Sequence, residues 1–327
     1  LGHDVCTFRP IDAVRWNSLN RAIHYRLGFR LVVGRVRKYL LDRIKSIPPF
    51  DLVWVDSGEL VGSALLKDLR RTGAILVNYN SDDPTGRRDR GRWGTLLAAI
   101  PEYDLCVVVR RESEDEYRSR GAPKVLRVWR AADEVAHRPR AVTSEIRARW
   151  GTDVAFVGTW MPERGVFMRD LIQAGVPVAI WGSHWEKAPE WRSIKAAYRG
   201  PALLGDDYAH AIQCAKFNLG LVSKGNRDLH TTRSSEIPML GGLFCAERTS
   251  EHLEMYREGR EAIFWTDAEE CALQIRRYLD DDSARQSISE AGRRRVWEMG
   301  LNNESVLQKI LVAACGGGRE DSGCSGR

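Results

Sequence analysis

The chain has 327 residues, 43% of them hydrophobic and 29% charged, a balance that suits a globular protein with room for two cores and excludes a low-complexity chain. Fifty basic residues against 44 acidic ones leave a formal net charge of +6. The two signs are interleaved, so the excess suits phosphate-bearing ligands without itself arguing for nucleic acid. Seven cysteines (Cys6, Cys106, Cys214, Cys245, Cys271, Cys315 and Cys324) form no CxxC pair and are odd in number, against both a disulfide framework and a zinc site. No apolar run approaches the roughly 18–20 residues of a membrane span, and the first residues do not read as a signal peptide. The expectation is a cytoplasmic, reducing compartment.

Short strand-like runs alternate with helical ones along the whole chain, the pattern of an α/β protein. Residues 50–55 (FDLVWV) predict a buried strand, followed by a helix over 60–71 that Gly73 caps. Strands follow at 74–79, 103–109 and 124–129. The stretch 136–150 is rich in arginine and carries Pro139, which marks a domain boundary and divides the chain into residues 1–140 and 151–314. The rhythm then restarts with a strand at 153–157, the turn Gly158-Thr159-Trp160-Met161, and a helix from Pro162 to the stop at Gly175. Further strands are expected at 176–181, 217–222, 242–246 and 262–265, then an almost entirely helical stretch from Asp267 to Ala314. The tail, 315–327, is Gly/Ser-rich and reads as disordered. No solenoid-type repeat is present. Two parallel α/β units in succession place their ligand outside the carboxyl ends of the strands, and the expected site is the cleft between the halves.

The most informative segment is Asp228-Leu229-His230-Thr231-Thr232-Arg233-Ser234-Ser235-Glu236, running to Gly241-Gly242. Hydroxyls, a cation and a helix start meet there at a strand-to-helix junction, a combination that suits a diphosphate. Glu236 follows Arg233 by three residues and shares its helical face, where a carboxylate can accept both hydroxyls of a ribose. A capped helix with a structural Arg–Glu pair fits the same residues equally well.

This segment resembles the donor-binding motif of GT-B glycosyltransferases, in particular the CgeB-like branch of the group 1 transferases. Phe156-Val157-Gly158-Thr159-Trp160 with Pro162-Glu163-Arg164, Val178 to Trp185, Tyr208-Ala209-His210-Ala211 before Lys216 to Leu221, and Glu247 to His252 resemble that branch in the same order. The likeness covers roughly residues 150–300. The pentapeptide Leu1-Gly2-His3-Asp4-Val5 resembles a segment that follows the first helix of the fold, which implies that the first strand and helix are missing by truncation or divergence. The resemblance thus implies two Rossmann-like domains facing across a cleft, an N-terminal acceptor domain and a C-terminal donor domain.

What the resemblance implies for function is a glycosyltransferase of hexosyltransferase type. Its donor is a nucleoside diphosphate sugar, UDP favoured with GDP and dTDP open, and its acceptor is one the sequence does not identify. Glu236 would hold the ribose and Arg233 the phosphates, with Thr231, Thr232, Ser234 and Ser235 offering hydroxyl or backbone N–H contacts. Gly158, Thr159 and Arg164 would approach the phosphates from the first turn, while Trp181, Gly182 and Ser183 would flank the base; Trp181 fits the core as readily. Leaving-group departure would be served by arginines rather than a metal or a resident cofactor. A catalytic base would come from the first half, with Asp56, Glu59, Asp82 and Asp83 as candidates at strand ends; each also fits a turn or cap. His230 lies beside the diphosphate motif, and His137 could line the cleft. Three other readings stand against the transferase: a sugar-nucleotide epimerase or phosphorylase on the same fold, a non-catalytic sugar-nucleotide binder, and a nucleic-acid-modifying protein gripping phosphate with Arg87, Arg88, Arg90 and Arg92.

Overall fold

The computed structural model describes residues 2–316, the side chain of Arg90 excepted, and divides them into two compact units. The first comprises the chain through Trp129, the short excursion Gly225–Arg227 and the chain from Val306; the second comprises Arg130–Lys224 and Asp228–Ser305.

In the first unit, β1 (Leu52–Asp56), β2 (Ile75–Asn80), β3 (Leu105–Val108) and β4 (Val125–Arg127) form one parallel sheet in the order β1-β2-β3-β4. Their valines, leucines and isoleucines form near-continuous apolar runs because a parallel sheet is covered on both faces. On one face Leu66, Leu76, Leu96 and Tyr103 are fully buried in the larger core. On the other, Val77, Leu105 and Val107 pack with Ile310 from the last helix, Asn303–Cys315. That helix extends through Cys315, and Gly316 bonds back to Val312 at 2.8 Å, so the expected disordered tail begins no earlier than residue 317. From 317 on, that expectation lies outside the described residues.

The second unit carries a six-stranded parallel sheet, built from β5 (Thr152–Val157), β6 (Val178–Trp181), β7 (Tyr198–Gly200), β8 (Ala215–Gly220), β9 (Phe244–Glu247) and β10 (Ile263–Trp265). Its order is β10-β9-β8-β5-β6-β7. Strand order therefore reverses between β5 and β8, the place where open α/β sheets bind ligands. Val154, Ile180, Phe217, Leu219 and Trp265 fill the core beneath that point, each worth about 1.5–3 kcal/mol of apolar burial.

The boundary lies earlier than the arginine-rich stretch suggests. Residues 130–140 join the second unit because their polar groups are satisfied there. Ala132 N–H donates to Leu301 and its carbonyl accepts from Asn303, at 2.9 and 3.0 Å. Glu134 accepts from the Asn303 and Glu304 N–H groups, and Arg140 binds Gln213 and Asp206. Arg140, which looks like a linker residue in sequence, is an anchored side chain in the fold.

Gly182 ends β6 in a conformation only glycine adopts easily, with φ +152°. A Cβ there would stand 1.9 Å from the Gly158 carbonyl oxygen, so the turns after β5 and β6 touch backbone to backbone. Gly182→Ala is expected to destabilise the second unit by about 3 kcal/mol. Thermal unfolding followed by circular dichroism checks this; a midpoint within about one degree of the parent would contradict it.

Candidate functional site

The loops after β5 and β8 are tied together at the switch point by Arg164. Its Nη1 donates to the Thr159 carbonyl at 2.8 Å and its Nη2 to the Leu221 carbonyl at 3.0 Å. Arg164 is buried, its Nε makes no hydrogen bond among the described residues, and neither of these two partners is a carboxylate. Burial lowers its pKa, Glu163 partly opposes that, and the neighbouring charge of Arg233 lowers it further. The site thus holds two like charges that a bound anion would relieve. Arg164, which the resemblance places near the phosphates, commits two of its donors to backbone carbonyls and braces the two loops.

Arg233 stands at the start of the helix Arg233–Met239. Its Nε donates to the Val157 carbonyl at the end of β5, 3.1 Å away, and its Nη1 pairs with Glu236 Oε2. The guanidinium lies over the ring of Tyr208, 4.8 Å from its centroid, in a cation–π contact. Burial works against the Arg233 charge, but Tyr208 and Glu236 outweigh it and its pKa is raised. Its side chain keeps 32% of its surface exposed.

Glu236 receives a second bond on the same oxygen, from Tyr208 Oη at 2.9 Å. Its Oε1 faces His137 Nε2 at 3.8 Å. Tyr208, on the helix Gly205–Cys214, is buried, which drives its hydroxyl pKa well up and keeps it a donor. Neither Tyr208 nor the pairing of His137 with Glu236 follows from sequence spacing, because the partners lie 28 and 99 residues away.

The remaining members of the motif divide into two groups. Thr231 and Thr232 stay half-exposed. Ser234 and Ser235 are fully buried and bind the protein itself: Ser235 Oγ donates to the Arg130 carbonyl at 2.7 Å, and Ser234 Oγ meets His252 Nε2 at 2.8 Å. Their backbone N–H groups, and that of Glu236, are taken by the Thr231 and Thr232 carbonyls at 2.9–3.0 Å. The expectation that Ser234 and Ser235 offer contacts to a diphosphate is therefore corrected: a tight first turn uses their N–H groups and the interior uses their hydroxyls.

His230 is also corrected. It is buried, its Nδ1 lies 2.5 Å from Glu251 Oε2, and its Nε2 accepts the Arg130 N–H at 3.0 Å. With both ring nitrogens committed, it positions the 130 segment instead of exchanging protons with a ligand. Trp181 is buried and packs against Trp150, ring centroids 6.0 Å apart, which fits the core alternative. Gly158 and Gly182 form the close turn already described, Trp185 Nε1 donates to the Gly158 carbonyl at 2.9 Å, and the Ser183 carbonyl accepts from Trp160 at 2.9 Å. Thr159 is exposed beside them.

Of the candidate bases, Asp56 and Asp82 come together at the carboxyl ends of β1 and β2. Local desolvation raises the pKa of the exposed Asp56, the Ser57 N–H partly opposes that, and the Asp82 charge adds to the rise. Glu59 is tied to Arg92 at 2.7 Å. Asp83 is no base: it is buried and held by Arg227 through two bonds of 2.7 Å. Among the described residues, no group of three or more His, Cys, Asp or Glu could hold a metal, and no helix is long and apolar enough to cross a membrane.

Residues 164–311 match the family model described as "Glycosyl transferase-like". No curated protein sequence matches the chain. Solved structures do. Sucrose-phosphate synthase from Thermosynechococcus elongatus aligns with TM-score 0.61 at 13% identity, over 86% of this chain and 78% of that one. Anabaena HepE in complex with UDP-glucose aligns with TM-score 0.62 at 11% identity, over 85% and 81%. The UDP-forming α,α-trehalose-phosphate synthase from Burkholderia xenovorans aligns with TM-score 0.60 at 13% identity, over 93% and 80%. The chain has the GT-B fold.

Behind the motif, His252 Nδ1 lies 2.7 Å from the Glu247 carbonyl and must donate to it, so Nε2 accepts from Ser234 Oγ, which in turn accepts the Thr231 N–H at 3.0 Å. Burial lowers the His252 pKa from 6.5 to about 4. Because the folded value lies below the unfolded one, this histidine's contribution to stability is present above pH 6.5 and is lost as the pH falls toward about 4. Between pH 7 and pH 5 the loss is expected to be about 2 kcal/mol. Urea midpoints at both pH values for the parent and for His252→Phe check this; equal pH dependence in the two would contradict it.

Proposed function

We propose that this protein is a glycosyltransferase that takes its sugar from a nucleoside diphosphate donor, UDP-sugar favoured, and passes it to an acceptor without an essential metal. The observation that carries the reading is the pairing at the β5/β8 switch point of a tethered, one-third-exposed Arg233 with Glu236 one turn on, braced by the buried cation of Arg164. A cation at the carboxyl ends of the strands suits a diphosphate, and a carboxylate a turn away suits the ribose hydroxyls. The glycosyl transferase-like match over residues 164–311 covers all three residues, and a fold neighbour bound to UDP-glucose supports UDP as the nucleotide.

On this reading, negative charge builds on the departing nucleoside diphosphate as its bond to the sugar breaks. Arg233 is already held in place by Val157 and Tyr208, so it stabilises that charge without rearranging. Thr231 and Thr232, half-exposed beside it, and the exposed Thr159 supply hydroxyl donors. In the first unit Asp56 is the base candidate best suited, because a raised carboxyl binds a proton more readily.

A thermal-shift screen with UDP, GDP, dTDP and CDP, each with and without EDTA, tests the donor. UDP is expected to stabilise the protein equally in both conditions; stabilisation that EDTA removes would contradict metal independence. Arg233→Ala is expected to weaken UDP binding by about 10–100-fold in calorimetry, the loss of charge-assisted hydrogen bonds. Unchanged affinity would remove the phosphate assignment. Nucleotide binding with neither sugar transfer nor donor hydrolysis would identify a binder instead of an enzyme.

A further inference from the structure

The second face of Glu236 carries a donor–acceptor couple that the donor reading does not use. His137 N–H donates to the Asp133 carbonyl at 2.7 Å, and the Asp133 N–H donates to His137 Nδ1 at 3.0 Å. This closed loop fixes the ring and, because Nδ1 accepts, places the ring proton on Nε2. The ring also meets Tyr208 edge-on, centroids 5.9 Å apart. Its Nε2 therefore points a donor toward Glu236 Oε1 across 3.8 Å, too far for a hydrogen bond. The other oxygen of Glu236 is held by Arg233 and Tyr208. The His137 side chain is 19% exposed and that of Glu236 11%.

We propose that His137 and Glu236 together read the ribose 2′-hydroxyl, which donates to Glu236 Oε1 and accepts from His137 Nε2, so that the site selects ribonucleotide over deoxyribonucleotide donors. An oxygen about 2.8 Å from both atoms closes the triangle they make. Both ends of the couple lose a partner when the hydroxyl is missing, and sites built this way reject the deoxy analogue strongly. The inference rests on the assignment of Glu236 to the ribose and extends it: dTDP-sugars are excluded, and UDP- or GDP-sugars are the donor class.

Calorimetric titration of the full chain with UDP, 2′-deoxy-UDP and 3′-deoxy-UDP tests it. The parent is expected to bind UDP at least about 10-fold more tightly than 2′-deoxy-UDP, and discrimination against 3′-deoxy-UDP alone would overturn the proposal. His137→Asn keeps an acceptor near the position of Nδ1 and removes the Nε2 donor; its UDP preference is expected to fall about fivefold or more, with affinity for the deoxy analogue unchanged. His137→Gln, which returns an N–H near the position of Nε2, is expected to restore part of the preference. A merely structural histidine would lower all three affinities together and overturn the proposal. So would a parent that binds UDP and both analogues equally, in which case the nucleotide site itself still stands. If none of the three binds, the assignment of the donor site falls and this inference falls with it.

Discussion

The second unit's site depends on the bond from Arg233 to the carbonyl of Val157. It fastens the first residue of the helix Arg233–Met239 to the end of β5, at the point where strand order reverses. A partly buried guanidinium is costly unless its hydrogen bonds are met. Here one donor is met by a strand-end carbonyl, one by Glu236, and the plane is covered by Tyr208. The cation is thereby held in one orientation with part of its surface toward solvent, which is what an anion site requires: the cost of ordering the side chain falls on folding and not on binding. Arg164, one strand loop away, repeats the arrangement with two carbonyls and leaves its charge without a hydrogen-bonded carboxylate on either of them.

Behind this pair lies a set of buried polar groups that sequence position assigns to the ligand and the fold assigns to the scaffold. Ser235 holds the Arg130 carbonyl, His230 holds the Arg130 N–H, and Ser234 completes a chain of hydrogen bonds from Thr231 to His252 and Glu247. Tyr256 Oη caps the Ser234 carbonyl at 2.6 Å. Buried networks of this kind are stabilising only when each member is satisfied, and they then fix a single backbone path. The segment around residue 130 and the first turn of the site helix are set by the same network. A polar substitution inside it would therefore misplace Arg233 and Glu236 without touching either.

Much of the fold is legible in the sequence because parallel strands buried on both faces leave unbroken apolar runs, as at residues 74–77, 154–157 and 178–181. Gly73 and Gly175, both at positive φ, mark helix ends as their positions suggest. The edge strand β7, Tyr198-Arg199-Gly200, has no aliphatic side chain and so gives no such signal. The boundary is not legible in composition, which does not show that Arg140 and Glu134 have partners 66 to 170 residues away. The same limit governs the site. Arg233 and Glu236 are readable as a pair because helical spacing of three residues puts them on one face. Tyr208, which covers the one and bonds the other, comes from a different helix, and His137 from the stretch read as the end of the first domain. Ser234, Ser235 and His230 read as ligand contacts because the side chains are of the right type; the burial that turns them inward is a tertiary property, with no local pattern to announce it.

A crystal structure of the protein with UDP is the most direct measurement of the central claim, because it reports where the nucleotide sits independently of any effect on stability or rate. The account predicts the diphosphate against the exposed edge of Arg233 beside Thr231 and Thr232, and the ribose hydroxyls on Glu236. A nucleotide bound elsewhere, or one whose ribose leaves the Glu236 carboxylate untouched, would contradict it.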